Sequence, residues 1–284
     1  MDMKTFTKCS LIISTYNWPE ALKLCLLSVR EQSILPDEIV IADDGSTYVT
    51  TELIEAMRLV IPVRIVHVWQ HDEGFQLSRI RNKAIAKSAH EYIIQIDGDL
   101  ILHKDFIKDH LRICKRGSFV TGCRTIMNQE LTEELLFSGN IRVPRLHKGL
   151  TNFCNRFSIP RLSNLLADRY RTRDIFALRG CNMAFWKEDL IRVNGYNELF
   201  NSWGFEDNDI AVRLFNSGLT KRMLKFGGVV FHLFHQESQK LLLPGNDEHL
   251  SHAIERREIA CILGLSQYLD VPHPLQLAEN VYEI

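Results

Sequence analysis

The first hundred residues alternate between short apolar runs and segments of helical periodicity, and this alternation constrains the fold more than any other feature. Four apolar runs are typical of buried strands, at 9–14, 38–42, 63–68 and 92–96. Helical periodicity fills the intervals, with Pro19 where the first turn of the first helix begins. Short connections between alternating strands and helices indicate a parallel sheet. The sequence therefore predicts an α/β fold, a Rossmann-like and mostly parallel sheet flanked by helices.

Polar clusters follow three of these strands at their carboxyl ends. They occupy residues 14–17, 43–46 and 97–99. In open parallel sheets ligands bind beyond the carboxyl ends of the strands. Because three separate clusters converge on one edge, they indicate a common binding site more strongly than any one of them alone.

The first two clusters suit a nucleotide base. Tyr16 offers a stacking face and Ser14 a hydrogen bond, although ordinary turn chemistry also explains this segment. A carboxylate in the second cluster could accept a hydrogen bond from the imide N–H of uracil. We assign base recognition to Asp44 and a turn or helix-capping role to Asp43, because adjacent side chains point in different directions.

The third cluster is Asp97-Gly98-Asp99, and carboxylates at the end of a buried strand are costly unless a cation meets them. Beside a diphosphate about 4 Å away, each would be repelled by roughly 4 kcal/mol at an effective dielectric near 20. A metal between them is therefore required, and hard oxygen ligands suit Mg²⁺ or Mn²⁺. An added imidazole would favour Mn²⁺.

Two histidines, His232 and His235, follow a late apolar stretch and could supply that imidazole. In an extended chain they would point to opposite faces, so only one is expected to reach the metal. The alternative is that both are ordinary surface or core histidines.

The segment 74–83 opens a predicted helix with cations in its first turns. Gly74 allows a close backbone approach, and a helix N-terminus with Arg81 suits phosphate. A solvated helix face remains the alternative for any single arginine.

A second acidic cluster, 203–209, stands where a helix begins. The helix dipole accounts for some of its acids, Glu206, Asp207 and Asp209, but not readily for all three. One of them could act as a base on a hydroxyl, and Trp203 nearby would suit the face of a sugar. The preceding segment 180–186, which contains Asn182, is predicted to feed the same site.

Composition excludes several classes of protein. The chain has 284 residues and a net charge of −1, which argues against a general polyanion binder and hence against nucleic acid as a partner. Seven cysteines are scattered without a Cys-x-x-Cys pair, which suits a reducing compartment. No apolar run approaches the roughly 18 residues of a transmembrane helix. We therefore expect a cytoplasmic protein.

The chain changes character after about residue 117. We expect a nucleotide-binding half at 1–117, a catalytic half at 118–240 and a helical tail at 241–284, with helical spacing over 249–268, all within a single domain. The insertion at about 140–175 is basic and aromatic-rich. It is either a solvated insertion or a lid over an anionic or lipid-linked acceptor, with peripheral contact to the inner face of a membrane.

The order of these motifs resembles a known family. The segments LIISTYNWPEALKLCLLSV, IVIADDGS, GFQLSRIRNKAI and YIIQIDGDLI resemble the N-terminal half of family 2 inverting glycosyltransferases of the GT-A fold. The segment GCNMAFWKEDLIRVNGYNELFNSWGFEDNDIAVRL resembles the acceptor half of the β-1,4-galactosyltransferases. Bacterial chondroitin-type polymerase domains combine both halves in similar order. The resemblance covers roughly residues 8 to 237.

On the donor side the resemblance implies roles for matching residues. Ser14, Tyr16 and Asp44 match positions that hold uridine, and Gln76 and Arg81 lie in the motif near the nucleotide.

For the metal, the resemblance implies that Asp97 and Asp99 form the Asp-x-Asp motif, with Asp99 the more direct ligand. A late histidine completes the coordination in the family, and His235 fits that local pattern better than His232.

On the acceptor side Asp207 matches the catalytic base and Glu206 the neighbour that holds the acceptor, where we also place Trp203 and Asn182. Phe205 departs from the glycine common in the galactosyltransferases.

The resemblance thus implies a metal-dependent inverting transfer of a hexose or N-acetylhexosamine from a UDP-sugar to a saccharide or lipid-linked saccharide, in surface polysaccharide or glycolipid synthesis. Two alternatives stay open. A sugar nucleotidyltransferase should carry a Gly-rich basic loop after the first strand, where STYNWPEA has neither Gly nor Lys. A non-catalytic nucleotide-sugar or glycan binder would not need Asp207 beside Glu206.

Overall fold

The computed structural model describes residues 7–202, 204–236 and 246–269. Ten strands lie within these residues. They are β1 (Cys9–Thr15), β2 (Glu38–Asp43), β3 (Arg64–Trp69), β4 (Tyr92–Asp97), β5 (Leu100–Leu102), β6 (Ser118–Gly122), β7 (Thr125–Ile126), β8 (Asn182–Trp186), β9 (Thr220–Leu224) and β10 (Val230–His232).

Nine α-helices connect and cover the strands in the same described ranges. They are α1 (Pro19–Arg30), α2 (Tyr48–Arg58), α3 (Leu77–Lys87), α4 (Phe106–Ile113), α5 (Gln129–Ser138), α6 (Pro160–Leu166), α7 (Lys187–Arg192), α8 (Glu206–Asn216) and α9 (Asn246–Glu255). Two short 3₁₀ helices occupy Phe153–Arg156 and Leu265–Tyr268.

The main sheet has seven strands in the order β3-β2-β1-β4-β8-β6-β9. Strands β1 to β4 are mutually parallel, β8 is antiparallel to β4 and β6, and β6 and β9 are parallel. The predicted α/β class with a mostly parallel sheet is therefore confirmed. Because β8 pairs with β4, strands from both sides of residue 117 share one sheet.

Apolar side chains pack on both faces of this sheet, which is why its central strands read as continuous apolar runs. Leu11 and Ile13 of β1 lie in the core beneath α1 and α4, whereas Ile12 lies in the core beneath α3 and α8. All three are fully buried. Burial on two faces explains why the sequence identifies these strands closely.

A small sheet in the order β5-β10-β7 lies beside the main one. In it Leu100 is opposite His232 in the antiparallel pairing of β5 with β10, and the Leu233 N–H donates to the Asp99 carbonyl at 3.0 Å. This pairing joins the turn after β4 to the late histidine segment.

The C-terminal tail is less helical than its spacing predicts. Helix α9 ends at Glu255, and Arg257 adopts a left-handed conformation with φ of 52°. The Asn194 side chain then holds the chain by donating to the Cys261 carbonyl at 2.8 Å and accepting from the Ser266 N–H at 2.7 Å. Tertiary hydrogen bonds therefore override the local pattern here. Parts of the predicted tail, 241–245 and 270–284, lie outside the described residues.

No helix in the described part of the chain is both long and apolar enough to cross a membrane.

Candidate active site

A cavity of about 770 Å³ opens at the carboxyl ends of β1, β2 and β4. Members of all three polar clusters line it together with the late histidine segment. These lining residues include Ser14, Tyr16, Asp44, Asp97, Asp99, His232 and His235. The topology thus brings together the residues that the sequence places at separate strand ends.

The two acids of the second cluster have different surroundings. Asp43 is fully buried, accepts from the Ser46 N–H at 2.8 Å and lies 2.9 Å from His67 Nε2, which gives it a turn-forming role. Asp44 lines the cavity and accepts from Gln70 Nε2 at 2.6 Å. Burial raises the pKa of Asp44. Asp44 is therefore the one of the two held at the cavity wall.

Gln76 contributes to this wall through its backbone. Its N–H donates to Asp44 Oδ2 at 3.0 Å, and its side chain does not line the cavity. Tyr16 is 52% exposed, and its hydroxyl donates to Asp72 at 3.0 Å. That bond fixes the ring at the cavity edge and leaves its face open for a planar ligand.

Asp99, His232 and His235 form a cluster with metal-ligand chemistry. Their ligand atoms all lie within 4.8 Å of one another. Asp99 Oδ2 lies 3.4 Å from His232 Nε2 and 3.3 Å from His235 Nε2. Both imidazoles face this point, unlike in an extended chain, because β10 ends at His232 and strand alternation does not extend to His235.

The donor set fits a divalent cation. Asp99 Oδ1 is buried and has no hydrogen-bond partner among the described residues. Nδ1 of His232 lies 2.8 Å from the Leu233 carbonyl, and Nδ1 of His235 lies 3.2 Å from the Gln236 carbonyl. Backbone bonds at Nδ1 leave Nε2 of each ring for a metal. One carboxylate and two imidazoles suit a divalent transition metal.

The charges in this cluster already perturb one another. Burial raises the pKa of Asp99, but His232 and His235 outweigh it and the net shift is downward. The hydrogen bond to Asp99 raises the pKa of His235. A metal would replace these mutual contacts, since ligating imidazoles must be neutral.

Arg81 connects the donor wall to the second acidic cluster. It is 1% exposed and donates to Asp97 Oδ1 at 3.1 Å and to Asp207 Oδ1 at 3.0 Å. Its Nε also reaches Ser14 Oγ at 3.4 Å, and its guanidinium lies over the Tyr196 ring. Its buried position within α3 makes it an internal bridge between two carboxylates, rather than the solvated cation that the alternative interpretation of 74–83 describes.

Asp207 and Glu206 begin helix α8. Phe205 directly before them has a φ of 70°, the left-handed region that favours glycine, which gives a reason for the glycine of the resembling galactosyltransferases. Glu206 Oε2 accepts from the Gly204 N–H at 3.1 Å. Burial, and then the neighbouring Asp207, raise the pKa of Glu206 to about 7.

Gly180 allows Asp207 its position. A Cβ on residue 180 would lie 1.7 Å from Asp207 Oδ2, so any side chain there would displace the carboxylate. Asp209, by contrast, is buried and bonds Arg213 Nη2 at 2.6 Å, which removes it from the site. Of the three acids at the helix start, Asp209 is therefore structural.

Asn182 lies inside the core, away from solvent. It is fully buried, with its Oδ1 2.9 Å from His110 Nε2 and its Nδ2 donating to the Cys123 and Gly228 carbonyls. Every polar atom of the amide is thus satisfied inside the core, which favours an internal role, and the acceptor role stays a prediction. Trp203 lies outside the described residues.

The basic segment 140–175 is only partly solvated. Arg156 is buried and donates to the Arg145 carbonyl at 3.2 Å and to the Leu150 carbonyl. Other cations, Arg161 and Arg169 among them, are exposed. Peripheral membrane contact through this segment stays a prediction, which sedimentation with anionic vesicles would test.

The chain matches the model of glycosyl transferase family 2 over residues 10–193, more than half of its length. It belongs to this family. Residues 162–236 also match the model described as the N-terminal domain of galactosyltransferase, which overlaps the segment with Glu206 and Asp207.

Curated relatives are larger proteins. The chain is 27% identical over 241 residues to a chondroitin synthase of Pasteurella multocida, covering 78% of the chain and 24% of that protein. It is 24% identical to a chondroitin synthase of Escherichia coli, over 78% of the chain and 34% of that protein. A Pasteurella multocida hyaluronan synthase is 25% identical over 74% of the chain and 23% of its own length. The chain therefore spans about a quarter to a third of these relatives.

Solved structures of glycosyltransferases share the fold. Staphylococcus aureus TarS 1–349 in complex with UDP-GlcNAc superposes with a TM-score of 0.66 at 16% identity, over 92% of this chain and 69% of that one. A Pyrobaculum calidifontis mannosyltransferase, solved with GDP-Man and Mn²⁺, superposes with a TM-score of 0.58 at 17% identity, over 84% of this chain and 60% of that one. The fold is GT-A.

Proposed function

We propose that this chain is a metal-dependent inverting glycosyltransferase that moves a hexose or an N-acetylhexosamine from a UDP-sugar to a saccharide hydroxyl. The observation that carries the proposal is the double contact of Arg81, which joins Asp97 at the donor cavity to Asp207 at the start of α8. This contact supports a single site that combines the donor cavity with a candidate base.

The donor is held by groups at the carboxyl ends of β1, β2 and β4 and by the late histidine segment. Asp44 accepts from the uracil imide, and the exposed face of Tyr16 stacks on the base. Asp99, His232 and His235 would hold the divalent cation. When bound, that ion supplies Lewis-acid stabilisation of the leaving diphosphate.

Asp207 takes the proton from the acceptor hydroxyl. Arg81 bonds its Oδ1, and no hydrogen bond in the described part of the chain reaches its Oδ2, so Oδ2 is the oxygen left to receive the proton. Arg81 also fixes the direction of the carboxylate. General-base catalysis of this kind contributes about 10²- to 10⁴-fold.

One carboxylate base is sufficient for an inverting displacement. The anomeric carbon is attacked in line by the deprotonated acceptor oxygen, the bond to UDP breaks, and no covalent glycosyl-enzyme forms, as argued for inverting hydrolases. Glu206, whose Oε2 already accepts from the Gly204 N–H, stands beside the base to hold the acceptor. The chondroitin and hyaluronan synthases among the relatives support polysaccharide synthesis as the setting.

The experiment is a UDP-release screen across a panel of UDP-sugars, with Mn²⁺, with Mg²⁺ and with EDTA. We expect slow hydrolysis of one donor with metal and none with EDTA. Calorimetry of UDP with Mn²⁺ gives a readout that needs no acceptor. Failure of UDP to bind in the presence of Mn²⁺ would refute the donor site.

A further inference from the structure

A second cavity, of about 420 Å³, adjoins the donor cavity. Arg124 and Ile126 line both cavities and so form their common wall. On another side the second cavity is lined by Arg179, which directly precedes Gly180, the residue packed against the Asp207 carboxylate. The second cavity therefore shares a wall with the donor cavity and includes the residue next in sequence to the one packed against the candidate base, as is expected of an acceptor site.

The lining of this second cavity is cationic. Among the residues that the structure describes, it contains four basic side chains and no acidic one: Arg124, Arg171, Arg179 and Lys225. Of these Arg171 is paired, with Asp174 at 2.6 Å. The other three have no carboxylate partner among the described residues. Instead, Lys225 donates to the Asn155 side chain at 2.5 Å, and Arg179 donates to the Leu178 carbonyl at 2.6 Å.

Uncompensated like charges that converge on one cavity repel one another and favour an anionic guest. Aromatic rings beside them suit the apolar face of a sugar. Phe153 and Tyr170 line the same cavity, and Lys225 lies 5.8 Å from the centre of the Tyr170 ring. Cations and rings together match an acidic saccharide better than either a neutral sugar or a free anion.

We propose that this second cavity, formed around Arg124, Arg179 and Lys225, binds an acidic group of the acceptor saccharide, a carboxylate or a phosphate, while its terminal hydroxyl meets Asp207. The inference rests on the proposed transferase function, since it names the acceptor class of that site. A carboxylate and a phosphate have in common anionic oxygens that accept charge-assisted hydrogen bonds.

The test is calorimetric binding of oligosaccharides to the full chain, with UDP and Mn²⁺ present. Three probes are compared: an oligosaccharide ending in a uronic acid, its carboxyl-reduced neutral counterpart, and a phosphate-bearing oligosaccharide. We expect at least one acidic probe to bind about tenfold more tightly than the neutral probe, with affinity falling as salt rises. The acidic probe that binds identifies the source of the anion.

Two variants locate the effect. Arg179→Gln and Lys225→Gln should each lower the affinity for the acidic probe by about tenfold and leave the affinities for the neutral probe and for UDP unchanged. Arg161→Gln is the matched control, because Arg161 is exposed and lines neither cavity. Arg124 is not used because it also lines the donor cavity. Thermal unfolding of each variant verifies the fold, and Arg179 is exposed, so its loss leaves the core intact.

Equal affinity for acidic and neutral probes would overturn the inference, as would an Arg161→Gln effect as large as that of Arg179→Gln. Failure of both acidic probes to bind, with UDP binding intact, would overturn the inference and leave the proposed function standing. Failure of UDP to bind at all would instead refute the proposed function.

Discussion

Arg81 donates to Asp207 across 126 positions of sequence, at 3.0 Å and with 1% of its side chain exposed. The same guanidinium holds Asp97 of β4. Removing one partner of a buried ion pair leaves uncompensated charge and destabilises proteins by roughly 3–5 kcal/mol. The stability of the fold and the position of the candidate base are thus coupled through one side chain.

We therefore expect Arg81→Met to lower the free energy of unfolding by roughly 3–5 kcal/mol in urea titrations. Arg81→Lys should keep part of that stability, but a single ammonium cannot reproduce the two-sided contact, so turnover should fall. Arg79→Met is the control on the same helix, because Arg79 pairs with the exposed Glu73. A stable Arg81→Met protein with normal turnover would exclude the bridging role.

Asp207→Asn should lower kcat by about 10²- to 10⁴-fold and leave UDP binding with Mn²⁺ unchanged. The substitution keeps the size of the side chain and removes the proton acceptor. Turnover and calorimetric titration are measured on the same preparation, with Glu188→Gln, an exposed carboxylate on α7, as control. Near-native turnover of Asp207→Asn would assign the base to another residue.

Much of the fold was predictable because the information is local. The apolar runs of β1, β2 and β4 are buried on both faces. Each polar cluster follows its strand directly, so parallel topology alone places Ser14, Asp44 and Asp97 on one edge. Those features depend on residues adjacent in sequence.

The rest depends on contacts that no local pattern records. The pairing of β5 with β10 sets both His232 and His235 beside Asp99, where strand alternation predicts only one. Asn182 lies next to site-forming segments in sequence, yet its amide faces the core. Helical spacing places Arg81 on the same face as Ile80 and Ile85, but that spacing does not show which carboxylates Arg81 meets.

Each metal ligand should be required for Mn²⁺ affinity. Asp99→Ala, His232→Ala and His235→Ala are each expected to weaken Mn²⁺-dependent UDP binding by at least about tenfold, since even outer-shell changes cost 10- to 100-fold. His71→Ala, at an exposed position, is the control. Retention of full metal affinity by either histidine variant would remove that residue from the coordination sphere.

Glu206 should make stability depend on pH. Its pKa is raised from 4.5 to about 7 by burial and by Asp207, so the folded chain binds this proton more tightly than the unfolded chain. Its contribution to stability is full below about pH 4.5 and is lost as pH rises through about 7. Glu206→Gln abolishes this ionisation. The free energy of unfolding of the variant, relative to that of the wild type, should therefore rise by up to about 3 kcal/mol between pH 5 and pH 8.

Urea titrations at the two pH values measure this gain, and Glu188→Gln, which is exposed, should show none. If the free energies of unfolding of the wild type and Glu206→Gln differ by the same amount at pH 5 and at pH 8, the raised pKa of Glu206 is contradicted.

Asn182→Ala distinguishes an internal role from an acceptor contact. The substitution removes the hydrogen-bond partner of His110 Nε2 and of the Cys123 and Gly228 carbonyls. It also opens space beside Gly122, because the Asn182 amide packs so closely there that a Cβ on Gly122 would lie 2.2 Å from Asn182 Nδ2. Unsatisfied buried groups and a new cavity together should lower the free energy of unfolding by about 2–4 kcal/mol. The KM for acceptor should stay unchanged at a temperature where the variant is folded, because Asn182 lines neither the donor cavity nor the second cavity, where we place the acceptor. The exposed Asn140→Ala should change neither quantity appreciably. A raised acceptor KM at unchanged stability would instead place Asn182 in contact with the acceptor, and the core role argued from its three hydrogen-bond partners would be wrong.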